Sequence, residues 1–399
     1  MDDVLKIAKN CRHYAMCKID YLGSGVCASG LEKHYVSFYP EGRMDLYAAI
    51  AEKTIPITEK CVEIADSCNL CGKCDYQCYF VMELRPSKVM KALKDHVGAY
   101  LESGGKIVPA KDDRLLAEMK GIVGDDWATN DPAVRITYHH DLCPHVTFKM
   151  PEYVVMPNSI EEISAIVKLL NKNKIPYVVR GNGASSHGLV FSEGAVLDLN
   201  RMKTMDFDEK NWLVKVGPGI AAFDLQWEAK KRGARVHTAE PALAPSPAQL
   251  TQDVDPDLSP FFEELYSRPE MTDLVWLNTF RIMSSRYNRE KPCVALVCYL
   301  PIDTSLIEEI QGRFQDIARK HHLKSALGFI TPIDSGKRCV WEHDFYFDHN
   351  DPAEVLRIQQ AAYEAGALID DYSLKTGTIR QVRYVVNQGC CRKENLLYS

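Results

Sequence analysis

The alternation of hydrophobic and polar positions changes rhythm along this chain. In the front part apolar residues recur every three or four positions over Asp45–Ala51, Glu59–Ala65 and Pro86–Leu101, the period of helices. Gly23–Ser24–Gly25 and Gly104–Gly105 punctuate that part as turns. From Tyr153 the texture turns β-rich: a short strand at Tyr153–Pro157, then Asn158–Ser159 capping a helix with Glu161 and Glu162 in its first turn. That helix carries Ile160, Ile163, Ile166, Val167 and Leu170 on one face. Strands follow at Tyr177–Val179, Ala195–Leu199 and Trp212–Val216, with Gly-rich turns at Arg180–Gly188 and Gly217–Gly219. A Pro- and Asp-rich crossing spans Pro241–Pro260, and a helical stretch surrounds Phe261–Tyr266. Beyond it come β-rich runs at Val294–Leu300 and Phe345–Phe347, and helices over Ser305–His321 and Pro352–Ala365. The pattern predicts an α+β protein in three parts: a helical domain over 1–148, an α+β domain of nucleotide-binding type over 149–240, and a small α+β cap over 241–399.

Composition narrows the classes. At 399 residues, 46% hydrophobic and 26% charged, the chain is globular and too long for one ordinary core. A net charge of -6 argues against a nucleic-acid binder. The longest apolar run, Cys293–Pro301, falls well short of the ~18 residues a membrane helix needs. The acidic start, Met-Asp-Asp-Val-Leu-Lys, has no apolar signal core, so a soluble cytoplasmic protein with no transmembrane segment is expected.

Cysteine changes the picture most. Cys11, Cys17, Cys27, Cys61, Cys68, Cys71, Cys74 and Cys78 crowd the front, and without an export signal they point to metal or redox chemistry. Cys143, Cys293, Cys298, Cys339, Cys390 and Cys391 are scattered and read as small buried hydrophobes. Cys68–Cys78 has the spacing C-x2-C-x2-C-x3-C, which lets thiolates converge on a [4Fe–4S] cubane. Zinc more often takes two separated C-x2-C pairs or adds histidines. In two-cluster ferredoxins the fourth cysteine of such a run serves the other cluster. By that logic Cys11, Cys17 and Cys27 join Cys78 around a second cluster, and Cys61 is the arithmetic candidate to complete Cys68, Cys71 and Cys74. A buried core thiol at Cys61, and a single cluster held by the run alone, are the alternatives. Tyr79 stands where such runs carry Pro, and the spacers between Cys11, Cys17 and Cys27 are long. His139, His140, Cys143 and His145 have poor ligand spacing and read as a domain junction.

Arg180-Gly-Asn-Gly-Ala-Ser-Ser-His-Gly188 lacks a Walker lysine and is no G-x-G-x-x-G helix start, yet its small residues can form an anion nest for a pyrophosphate. Together with Met156-Pro157-Asn-Ser-Ile-Glu-Glu-Ile, Leu197-Asp-Leu-Asn200 and Val216-Gly-Pro-Gly219 it resembles the FAD-binding domain of the vanillyl-alcohol oxidase and p-cresol methylhydroxylase superfamily, which includes glycolate and D-lactate dehydrogenases. The Cys-rich front looks like a ferredoxin or heterodisulfide-reductase module. The resemblance covers residues 150–240 and implies that Pro157, Arg180, Gly181, Asn182, Gly183, Ala184, Ser185, Ser186, His187, Gly188, Gly217 and Gly219 contact FAD. Some members carry a flavin-linked histidine where this chain has Ala184, so a covalent link there is not expected, and His187 reads as a loop-stabilising residue. Members continue into a second Gly-rich half, whereas here no glycine lies between Gly233 and Gly312. The FAD domain therefore reads as incomplete, either reduced or completed by a partner chain.

With both cofactors bound, the expected activity is a dehydrogenase: hydride from a hydroxy acid or alcohol to FAD, then single electrons through the clusters to a redox partner protein or subunit. The densest candidates for a base lie in Glu342–His349, with His343 as the choice and a structural strand as the alternative. A different class also fits: a non-catalytic iron–sulfur electron-transfer or scaffold subunit with a degenerate flavin domain.

Overall fold

The computed structural model describes residues 3–13, 15–20, 25–111, 113–139, 141, 143, 150–183, 191–234, 291–333, 336–376 and 380–381. It separates into two compact units, Met1–Ala234 and Arg235–Ser399. Among the described residues no helix is long and apolar enough to cross a membrane.

The first unit opens with helices α1 (Asp3–Lys9), α2 (Ala28–Lys33), α3 (Pro40–Ala51), α4 (Glu59–Asp66), α5 (Lys73–Met82) and α6 (Pro86–Glu102). Pro40 and Pro86 sit in the first turns of their helices, where a missing N–H costs nothing and the ring pre-sets φ. Helix α3 is buried on nearly every face, its charged Glu41, Arg43 and Asp45 included. Val36, Phe38, Leu46, Ile50, Ile64, Val89 and Leu93 pack around it as one core.

Helix α7 (Arg114–Val123), strand β1 (Ala128–Thr129) and α8 (Pro132–Arg135) come next. Strand β2 (Tyr153–Val155), helix α9 (Ile160–Lys172), β3 (Tyr177–Arg180) and β4 (Ala195–Asp198) build a sheet in the order β1-β2-β4-β3. In it β2, β4 and β3 run parallel, and β1 is antiparallel to β2. Hairpin β5 (Met205–Asp208) and β6 (Leu213–Val216) precedes α10 (Ala222–Lys231). Ser159 caps α9, its hydroxyl accepting the Glu162 N–H at 3.1 Å. The buried face of α9 is Ile166, Leu169 and Leu170, while Ile160, expected on that face, is 73% exposed at the first turn.

The break expected at residue 148 is crossed by packing. Leu116, Met119 and Val123 of α7 share a core with Val155, Ile166, Leu170 and Leu197, and Val154, Met156 and Val196 belong to the core of the front helices. The sheet shields one face with α7 and α9 and the other with the Cys-rich helices, so front and nucleotide-type segments fold as one unit.

The second unit holds β7 (Cys293–Pro301), α11 (Thr304–Lys320), β8 (Lys324–Ile333), β9 (Arg338–Tyr346), α12 (Pro352–Thr376) and β10 (Arg380–Gln381). Its sheet, ordered β10-β7-β9-β8, is antiparallel, and Ile310, Phe314, Ile317, Ile358, Ala362 and Ile369 of the two helices pack on Leu296, Trp341 and Phe345. This is the small α+β arrangement expected for the last part, with β8 and the full length of α12 added. The Pro- and Asp-rich crossing, the helical stretch at Phe261–Tyr266 and most of the glycine-free segment lie outside the described residues.

Candidate functional site

Three loops meet at the carboxyl ends of parallel strands β2, β3 and β4: Met156–Pro157, Arg180–Gly183 and Asp198–Asn200. In open α/β sheets this edge is where ligands bind. Asn200 Nδ2 donates to the Gly181 carbonyl at 3.1 Å, and a Cβ on Gly181 would lie 3.3 Å from the Pro218 carbonyl. Gly219 packs so closely on Leu199 that a side chain there would meet its carbonyl oxygen. Gly183 has φ 76°, and a Cβ on it would run into the Arg180 guanidinium. The turn thus needs its glycines for conformation and for close approach. Buried Pro157, Arg180, Gly217 and Gly219 and half-buried Gly181, Asn182 and Gly183 lie at this edge. Ala184, Ser185, Ser186, His187 and Gly188 lie outside the described residues.

Beneath the turn lies a buried ionic group drawn largely from the Cys-rich front. Lys18 Nζ donates to the Asn182 carbonyl at 3.0 Å. Glu41, 2% exposed, has Lys18 Nζ at 3.8 Å, His13 Nδ1 at 3.7 Å and Arg180 Nη2 at 3.7 Å. Burial pushes the Glu41 carboxyl up, but Lys18, His13 and Arg180 outweigh it and hold it at about 2. Burial lifts Asp45 to about 7, against the pull of His13 at 3.4 Å. Burial lowers Lys18 despite Glu41. Arg180 also reaches Asp198 at 3.9 Å and stacks over Tyr138 at 4.9 Å. Tyr138 Oη donates to Asp198 Oδ2 at 2.7 Å and accepts the Val36 N–H at 3.1 Å. None of Lys18, Glu41, Asp45 and Tyr138 carries a motif. The one sequence signal was a helix, α3, with charges scattered among apolar residues on every side.

The cysteines divide. Cys27, Cys68, Cys71 and Cys74 line one open pocket, with Arg43 and Gly72 beside them. Cys68 and Cys71 sit on the loop between α4 and α5, where Leu70 and Gly72 adopt φ 56° and 75°, and Cys74 follows on the first turn of α5. Burial pushes the Cys27 thiol up, but the Arg43 guanidinium and hydrogen bonds from Ser29 and the Gly30 backbone hold it below its usual value. Cys78, four residues past Cys74, is driven up to about 12 by burial and Asp75. It lies near Cys17, which in turn neighbours Cys11, and burial raises both of those thiols as well. Cys27, expected beside Cys78, thus shares a pocket with Cys68, Cys71 and Cys74 that Cys78 does not line.

Cys61 is also placed differently. Helix α4 ends at Asp66, so it does not carry Cys61 onto the face of Cys68. Cys61 is fully buried, and its sulfur accepts the Thr58 N–H at 3.4 Å while the Thr58 hydroxyl accepts the Cys61 N–H at 3.3 Å. It closes a capping box in the core and does not line the pocket of Cys68, Cys71 and Cys74. Cys143, Cys298 and Cys339 are buried, in keeping with their reading as small hydrophobes.

Among the described residues no group of three His, Cys, Asp or Glu side chains is disposed to hold a single metal ion. Zinc needs its sulfurs on one tight tetrahedron, whereas a cubane spreads four thiolates around a larger inorganic core. The four thiols that line one common pocket are Cys27, Cys68, Cys71 and Cys74.

His343, the expected base, is fully buried in the second unit, stacked on Trp341 at 5.5 Å and edged by Phe314 and Phe345. Burial lowers it to about 4. A neutral ring enclosed by aromatic side chains has no path to a substrate proton, which is the position of a core residue.

Residues 151–244 match the FAD binding domain family. A D-lactate dehydrogenase of Anaerostipes hadrus is 31% identical over 121 residues, 30% of this chain and 24% of that protein. The glycolate oxidase subunit GlcD of Bacillus subtilis is 29% identical over 115 residues, 28% of this chain and 24% of that protein. A D-2-hydroxyglutarate dehydrogenase of Stutzerimonas stutzeri is 27% identical over 125 residues, 31% of this chain and 27% of that protein. The matched stretch thus spans about a quarter of these relatives' length. Among solved structures, p-cresol methylhydroxylase with substrate bound aligns at a TM-score of 0.48 and 10% identity, over 69% of this chain and 89% of that one. The kinship these comparisons establish is that of residues 151–244 with FAD-binding domains.

Proposed function

We propose that this chain is an FAD-dependent oxidoreductase of small hydroxy acids that hands electrons on singly through thiolate-held [4Fe–4S] clusters to a redox partner. When bound, FAD supplies a hydride acceptor and the clusters a one-electron path. The observation that carries the reading is the contact between Lys18, next in sequence to Cys17, and the carbonyl of Asn182 in the Gly-rich turn. That contact puts the Cys-rich front directly against the segment that matches FAD-binding domains. The N–H groups of the Arg180–Gly188 turn would hold the pyrophosphate, with Pro157, Gly217 and Gly219 shaping the same edge. Cys68, Cys71 and Cys74 would supply thiolates to one cluster, and Cys11, Cys17 and Cys78 would serve a second. The names of the relatives support D-lactate, glycolate and D-2-hydroxyglutarate as first substrates to try.

The test is quantification of iron, acid-labile sulfide and FAD in anaerobically purified chain, followed by anaerobic addition of each hydroxy acid. Expected are flavin bands near ~450 nm over a broad iron–sulfur shoulder, with bleaching of the flavin on substrate addition. Colourless, iron-free and flavin-free protein would overturn the reading. The enclosure of His343, the base chosen from the Glu342–His349 candidates, favours a second reading as an electron-transfer or scaffold subunit. Iron and sulfide without flavin, and no response to any hydroxy acid, would select it.

A further inference from the structure

We infer that Cys27 is the fourth ligand that completes the thiolate set of Cys68, Cys71 and Cys74, leaving Cys78 to a separate site; this rests on the iron–sulfur part of the function proposed above. All four sulfur-bearing residues line the same pocket, whereas neither Cys61 nor Cys78 lines it. The run cannot close on Cys61, which is committed to the α4 capping box in the core.

The surroundings of Cys27 are those of a ligand and not of a surface thiol. Cys27 stands at the N-cap of α2 with extended backbone, and its sulfur lies 3.3 Å from Ser29 Oγ and 3.4 Å from Arg43 Nη1. Arg43 is 1% exposed, and its guanidinium also donates to Ser29 Oγ at 2.7 Å, to Ser67 Oγ at 2.8 Å and to the Ile64 carbonyl at 3.2 Å. Among the described residues it pairs with no carboxylate. A buried cation without a partner anion is costly. A thiolate cluster carries net negative charge, and one placed in this pocket supplies the missing counter-charge on the side that Arg43 already faces. The loop that brings the other three thiolates is tied at its root by Lys94 Nζ, which donates to the carbonyls of Ala65 at 3.0 Å and Cys68 at 3.1 Å. Its left-handed residues Leu70 and Gly72 turn the backbone around the pocket.

The experiment compares full-length wild type with Cys27→Ala, Cys78→Ala, Cys61→Ala and Ser29→Ala, each reconstituted anaerobically with ferrous iron and sulfide. Iron, sulfide and low-temperature EPR of the dithionite-reduced proteins are read. Cys61→Ala is expected to keep the wild-type iron content. Cys27→Ala is expected to lose one cluster's signal or convert it to a three-iron signal, and Cys78→Ala to keep that signal. Ser29→Ala keeps every thiol and leaves Arg43 its bonds to Ser67 and the Ile64 carbonyl, and it is expected to lower the midpoint potential of the same signal by removing the hydroxyl 3.3 Å from the Cys27 sulfur. Wild-type iron and an unchanged spectrum in Cys27→Ala, or an unmoved potential in Ser29→Ala, would overturn the assignment alone. A wild type that takes up no iron would overturn both the assignment and the iron–sulfur reading beneath it.

Discussion

Glu41 decides whether the ionic group under the Gly-rich turn is stable. It is one carboxylate facing three cationic side chains, all nearly free of solvent. Removing one partner of such a group leaves uncompensated charge in a low-dielectric interior, a loss of about 3–5 kcal/mol. Glu41→Gln is isosteric, so the expected loss at pH 7 is charge and not packing, and urea denaturation measures it. The carboxyl sits at about 2 in the folded chain against an ordinary 4.5. A depressed carboxyl adds stability that is complete above its unfolded value and fades as pH falls through its folded one. The gap between wild type and Glu41→Gln is therefore expected to be full at pH 5–7 and clearly smaller by pH 3. A gap that is the same at both ends of that range would show that Glu41 acts by shape alone.

At the scale of elements, what the sequence makes legible is what local chemistry dictates. The Asn158–Ser159 signal with Glu161 and Glu162 behind it marks the start of α9, and the structure confirms the cap at 3.1 Å. Ser159→Ala is expected to cost about 1 kcal/mol, the usual worth of such a cap, with Ser159→Thr restoring most of it in thermal unfolding. No change on Ser159→Ala would mean that tertiary packing alone fixes this helix. Period and turn residues likewise give α3, α4, α6, β3 and β4 to within a few positions. Misses have a shared cause. Hairpin strand β5 was not anticipated because Met205–Asp208 alternates weakly and pairs only with its neighbour β6. Cys61 looked like a ligand because spacing counts residues without knowing where a helix stops, and α4 stops at Asp66. The partnership of Cys27 with a run more than forty residues away is set by α3, through Arg43, and no spacing rule carries that information.

For the molecule as a whole, the largest departure from the sequence pattern is that a change of texture near residue 150 is not a change of folding unit. Helix α7 looks like part of the helical front but packs on the sheet, and β2 and β4 contribute to the core of the front helices. Tyr138 ties the two together by linking the Val36 N–H to Asp198 at the end of β4, with all three residues fully buried. Tyr138→Phe keeps the ring and strips one hydroxyl, so a buried donor and a buried carboxylate each lose a partner, at a cost of about 1–3 kcal/mol. Were the front and the sheet independent, the loss would stay local to β4. Because their cores interlock, protection is expected to fall together in α3, α6, β2 and β4. Native-state hydrogen exchange, read peptide by peptide, distinguishes the two cases. Faster exchange confined to β4, with α3 and α6 unchanged, would mean that the Cys-rich helices and the sheet are separate cooperative units, and the contact of Lys18 with the Asn182 carbonyl would then not be held by a shared core.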